Sequence, residues 1–86
     1  MSTSALTTAH DEIRAWVERR DGRPCVVRSE GDDGILRIDF GTPDEALEQI
    51  DWETFFRIFD DSKLAFLHQD KTAEGKISRF NKFVSR

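Results

Sequence analysis

The chain has 86 residues, 37% hydrophobic and 35% charged, with 17 acids against 13 bases for a net charge of −4. That length holds one domain with one core, and it excludes a TIM barrel, a full dinucleotide-binding fold or any enzyme closing two domains on a substrate. Seven Phe and two Trp supply the bulk of a real core, which excludes global disorder. The single cysteine, Cys25, can form no intramolecular disulfide and cannot alone hold a zinc ion. Small secreted domains depend on such staples, so a cytosolic protein is expected. The first eight residues carry neither a charged leader nor an apolar run, and no stretch is long enough to span a membrane.

In chain order, residues 1–8 are small and polar and are expected to form a flexible N-terminus, with a single domain over 9–86. A helix is predicted to start near Thr8. Ile13, Trp16 and Val17 form its apolar stripe, and Gly22 and Pro24 signal its end. Cys25–Glu30 and Ile35–Phe40 flank the turn Gly31-Asp32-Asp33-Gly34 and predict a hairpin. Leu36, Ile38 and Phe40 alternate there with Arg37 and Asp39. Thr42-Pro43-Asp44-Glu45 has the chemistry of a helix start and predicts a short helical turn holding Leu47.

Asp51 is the predicted N-cap of the strongest helix, in which Trp52, Phe55, Phe56 and Phe59 fall on one face. Phe55, Phe56 and Phe59 are expected to include the centre of the core, with Trp52 or Ile58 at its edge. Leu64–His68 predicts a third strand. Ser78 predicts the cap of a last helix over 78–86, with Phe80, Phe83 and Val84 on one face; a strand is the competing assignment. The expected class is therefore α+β: a three-stranded, largely antiparallel sheet with helices packed on one face, in the order α-β-β-α-β-α. No internal repeat is visible in the residues.

Charge is unevenly distributed. Residues 1–29 carry net +1, residues 30–61 carry eleven acids and two bases for −9, and residues 62–86 carry +4. Turns and helix N-termini account for most of the acids. The functional alternative is a surface for a basic partner, with Asp32, Asp33, Asp44, Glu45, Glu48, Glu53 and Ile58 as the candidate interaction residues. The bases at the C-terminal end, Lys76, Arg79, Lys82 and Arg86, read as a solvated edge. With net −4 behind them, nucleic acid is disfavoured as a partner and a protein is preferred.

Chemistry-bearing motifs are missing. Gly31-Asp32-Asp33-Gly34 is too short and too acidic to cradle phosphate. Its two acids lack the alternating oxygen ligands of a calcium loop. His10 and His68 fall in different elements and predict no metal site. Cys25 reads as a small buried hydrophobe, and Ser62-Lys63 and Ser78 lack a base in register. The expectation is no catalytic residues, no cofactor and no metal.

From Asp11 onward the chain resembles a set of small bacterial proteins of uncharacterised function. The resemblance runs through Ile13-Arg14-Ala15-Trp16-Val17-Glu18 with Gly22-Arg23-Pro24, and through Gly34–Phe40. It continues in Asp51-Trp52-Glu53-Thr54-Phe55-Phe56, in Leu64-Ala65-Phe66-Leu67 and in Ser78–Val84. Members of that set often carry the label 1,4-alpha-glucan branching enzyme by transfer. The label implies an α-amylase-like barrel of about 250 residues, which this chain cannot contain. The resulting expectation is a non-enzymatic cytosolic binding or regulatory domain acting through protein contacts. A carbohydrate-metabolism accessory module and an acidic nucleic-acid mimic are the alternatives.

Overall fold

The computed structural model describes residues 4–27 and 35–86. Its elements are β1 (Ser4–Thr7), α1 (His10–Glu18), β2 (Gly22–Val27), β3 (Leu36–Phe40), β4 (Leu47–Gln49), α2 (Trp52–Asp61), β5 (Leu64–Gln69) and β6 (Asn81–Ser85). The class is α+β, as expected. The arrangement is two three-stranded antiparallel sheets, β1-β5-β6 and β3-β2-β4, not a single sheet, and two helices stand where three were expected. Ile13, Trp16 and Val17 of α1 and Phe55 and Phe59 of α2 meet Val26, Leu36, Ile38 and Phe66 in one core. Both helices therefore serve both sheets.

α2 forms as its sequence dictates. The Asp51 carboxylate accepts the Thr54 N–H at 2.7 Å, and Phe55 and Phe59 are fully buried. Phe56 belongs to the margin with Trp52 and Ile58, and the His10 ring is stacked on it at 4.1 Å. α1 differs in its start: Ala9 is the N-cap and offers no side-chain bond. Thr7 substitutes, its Oγ1 accepting the Ala9 N–H at 3.0 Å and donating to Glu12.

Three departures from the sequence expectations share one cause, the need of a central strand for partners on both edges. Ser4–Thr7 form a strand, pairing with β5 from Ser4↔Gln69 to Thr7↔Phe66. Residues 81–85 are a strand and not a helix, because they close the other edge of β5, with Phe66↔Phe83 and Ala65↔Val84 opposite each other. Pairing overrides the helical spacing of Phe80, Phe83 and Val84, and Phe80 is left 46% exposed. The segment after Thr42 makes one turn only, with the Leu47 N–H on the Asp44 carbonyl at 3.0 Å. The Asp39 carboxylate takes the Asp44 N–H, and the Asp44 carboxylate takes the Ala46 N–H, so the backbone donors of a helix are diverted. Leu47–Gln49 then pairs with β2. The turn Gly31-Asp32-Asp33-Gly34 lies outside the described residues.

The chain contains a structural repeat that its residues conceal. Strand, helix and hairpin follow one another twice, as β1-α1-β2-β3 and as β4-α2-β5-β6. The spacing from Ala9 to Asp51, the two N-caps, is the same as from His10 to Trp52 and from Gly22 to Leu64. It also separates Asp21 (φ 55°) from Lys63 (φ 53°), the two described non-glycine residues with positive φ. Ile13 and Val17 hold the places of Phe55 and Phe59, all with zero exposure. The leading strand of each unit pairs with the central strand of the other, β1 with β5 and β4 with β2, so the two units are interlocked.

Gly22 shows how tightly the first unit closes. A Cβ there would stand 2.9 Å from Val17 Cγ1, 3.0 Å from Phe40 Cε1 and 3.1 Å from Ile38 Cγ2. The glycine lets α1 lie against β3, a role beyond ending a helix. Gly22→Ala is expected to destabilise the protein by about 1–3 kcal/mol through overpacking. Urea unfolding is the measurement; a stability equal to wild type would show that the helix and hairpin can move apart freely.

Candidate functional site

The stripe that begins at Ile13 passes through Trp16 and Val17 and arrives at Arg20, so a charged residue stands where the pattern calls for an apolar one. The structure buries it. The Arg20 side chain is 3% exposed, and its guanidinium lies over the Trp16 ring at 4.1 Å from the centroid. Nε donates to the Ser78 carbonyl at 2.6 Å, and one terminal nitrogen donates to the Trp16 carbonyl at 2.9 Å. The other terminal nitrogen donates to the Asp70 carbonyl at 2.9 Å and to the Asp70 carboxylate at 3.1 Å. Trp16 adds its own Nε1–H to the Gln69 carbonyl at 3.2 Å.

These bonds pin α1 to both ends of the loop joining β5 and β6. The loop has its own internal order. The Ser78 hydroxyl donates to Gln69 Oε1 at 2.8 Å and accepts the Phe80 N–H at 3.1 Å, and the Ser78 N–H reaches the Asp70 carbonyl at 3.1 Å. A bridge between Lys71 and Ile77 and two turn bonds at Thr72 close its tip. The result is a long hairpin loop held in one shape from beneath.

On its outer side the loop borders a shallow groove of about 440 Å³ lined by Arg19, Arg20, Asp21, Ile77 and Arg79. Ile77 is 66% exposed, the most exposed large hydrophobic residue among those described. The Arg19 side chain makes no ion pair or hydrogen bond among the described residues, and the Arg79 guanidinium rests on the Phe40 ring, 5.3 Å from its centroid. Across Arg19 lies a second cleft, lined by Asp11, Glu12, Ala15, Trp16, Arg19, His68 and Asp70. His68 packs against the rings of Trp16 and Phe66, and its buried Nδ1 has no hydrogen-bond partner.

The acidic residues singled out in the sequence do not gather at this site. Asp32 and Asp33 lie outside the described residues. Asp44 and Glu45 line a separate cleft over Arg23, Cys25 and Asp39, together with Leu47 and Gln49. Strand alternation puts the exposed Glu48 on the opposite face of β4 from Leu47 and Gln49. Glu53 is exposed in the first turn of α2, and Ile58 packs half-buried against the core. Three other acids of the stretch have local duties. Asp39 is buried beside Arg23 at 3.5 Å, Asp51 caps α2, and Asp60 joins His10 at 3.0 Å and Arg86 at 2.8 Å. The bond from His10, reinforced by Arg86, holds the Asp60 carboxyl below the ordinary carboxylate range.

Cys25 is buried, and burial, with the nearby Asp39 charge next, pushes its thiol above its ordinary value. That suppresses the thiolate, the nucleophilic form. Among the described residues no three of His, Cys, Asp and Glu come together as a metal site. Arg20 is the site residue that the sequence reading passed over, and its signal was the interruption of the Ile13 stripe by a charge. Comparison of the chain with protein-family models, with curated proteins and with solved structures returns no match.

Burial of His68 is expected to make the fold acid-sensitive. Desolvation lowers its pKa from the ordinary 6.5; Glu12 and Asp70 oppose that shift and Arg20 and Arg19 add to it. A base whose folded pKa lies below its unfolded one destabilises the fold as pH falls through the unfolded value, and the loss is complete only below the folded value. His68→Phe fills the same ring stack and sacrifices no hydrogen bond. Between about pH 7.5 and pH 5.5 its melting temperature is expected to fall less than that of wild type. Equal falls in the two proteins would show that His68 protonates in the native state without penalty.

Proposed function

We propose that this chain is a non-enzymatic cytosolic domain that binds another protein through the loop between β5 and β6 and the groove beside it. The observation that carries the reading is the Arg20 anchor. A buried guanidinium engaging the carbonyls of Trp16, Asp70 and Ser78 fixes a loop whose outer wall is the 66%-exposed Ile77. A loop already ordered loses little conformational freedom on binding, which favours recognition. Loops placed on a rigid scaffold are where binding residues concentrate.

Other features of the molecule fit this reading better than its alternatives. No helix of the described residues is long and apolar enough to cross a membrane. Sugar-binding sites use flat aromatic faces in water. Here Trp16 is buried and Trp52 packs on Phe55 and Phe56. A phosphate mimic needs aligned carboxylates, whereas the described acids of residues 30–61 are divided among a cap, two ion-paired positions and separate surfaces.

The test compares two exposed apolar residues. Ile77→Ser is expected to stay folded by circular dichroism and to lose the bound protein in affinity capture from lysate. Leu6→Ser, which alters a residue 60% exposed on β1, is expected to retain it. Retention by both variants, or loss by both, would place the contact elsewhere.

A further inference from the structure

The surface chemistry of the groove specifies its occupant further, an inference that rests on the reading above. Arg14, Arg20, Arg23 and Arg86 are each paired with a carboxylate of their own chain: Glu18, Asp70, Asp39 and Asp60. Arg19 and Arg79 are exposed, line one groove and have no carboxylate partner among the described residues. Asp70 forms its salt bridge with Arg20 and not with either of these two. The Arg79 guanidinium lies over the Phe40 ring, a contact that spends none of its N–H donors and leaves them for a planar acceptor. The same groove has one aliphatic wall residue, Ile77.

We propose that the groove takes an acidic peptide segment of a partner protein, with a carboxylate between Arg19 and Arg79 and an aliphatic side chain against Ile77. A carboxylate is the planar, singly charged acceptor to which a guanidinium donates in bidentate fashion, and the apolar wall favours a side chain beside it. A nucleic-acid backbone fits poorly. Asp21 lines the same groove, which disfavours a repeating run of phosphates, and the whole chain carries net −4. Because Arg20 holds the loop in place, the two free guanidinium groups are presented without a folding step.

Photo-crosslinking reads the occupant directly. With p-benzoylphenylalanine in place of the exposed Lys76, the full chain is irradiated in lysate and the attached peptide is sequenced by mass spectrometry. The expected product is a segment of a different protein containing Asp or Glu beside Leu, Ile or Val. Arg19→Glu with Arg79→Glu is expected to reduce its yield about tenfold or more while the circular dichroism spectrum stays that of wild type. Arg57→Glu, which reverses an exposed charge on α2, is expected to leave it unchanged. A basic or neutral cross-linked segment, a nucleic acid, a second copy of this chain, or a yield indifferent to charge reversal would overturn the assignment. The broader reading would survive any protein product that still requires Ile77. Failure to cross-link any protein would overturn both.

Discussion

A single guanidinium sets the shape of the loop between β5 and β6. Arg20 leaves the end of α1 and enters the protein, where an unpaired charge would be costly. It is tolerated because the Trp16 face, three carbonyls and one carboxylate meet it at hydrogen-bonding or cation–π distance. Those carbonyls belong to α1 and to both ends of the β5–β6 loop, so the first unit of the fold holds the second unit's longest loop. Lysine could not reproduce this, since it lacks the planar fork of donors that reaches three directions at once.

The same logic runs through the architecture. Two strand–helix–hairpin units exchange their leading strands, and each central strand is completed by a strand from the other unit. Phe55 and Phe59 of the second helix pack against Ile13, Trp16 and Val17 of the first in one core. At this length neither unit alone could bury enough apolar surface to fold, and interlocking them gives both units a single core. Arg20 extends the interlock from the core to the surface, which explains how a small domain can present a long loop in a defined shape.

The local parts of this design are legible in the residues. Asp51 with Phe55 and Phe59 announces α2, and the alternation of Leu36, Ile38 and Phe40 announces β3, because each signal is complete within one element. What depends on distant partners is not legible. Ser4–Thr7 has no strand signature until β5 is beside it. Phe83 and Val84 mimic a helical face until the pairing Phe66↔Phe83 settles the matter. The repeat is hidden because Ile13 and Val17 perform the work of Phe55 and Phe59 with different side chains. At the candidate site, the acidic excess drew attention to Asp44, Glu45 and Glu48, whereas the organising residue was a lone arginine on an apolar stripe. Its partners, Asp70 and Ser78, are remote in sequence, and only the fold brings them to it.

The central claim is that Arg20, through its directional donors and not merely its charge, holds the loop to α1. Amide hydrogen exchange on Arg20→Lys tests it most directly, followed at Ser78 and Phe80 in the loop and at Phe66 and Phe83 in the adjoining strands. The account predicts that the loop amides exchange much faster while the strand amides keep more of their protection, with a loss of global stability of about 2–4 kcal/mol from the carbonyls left unsatisfied. Wild-type protection at Ser78 and Phe80 in the lysine variant would contradict it.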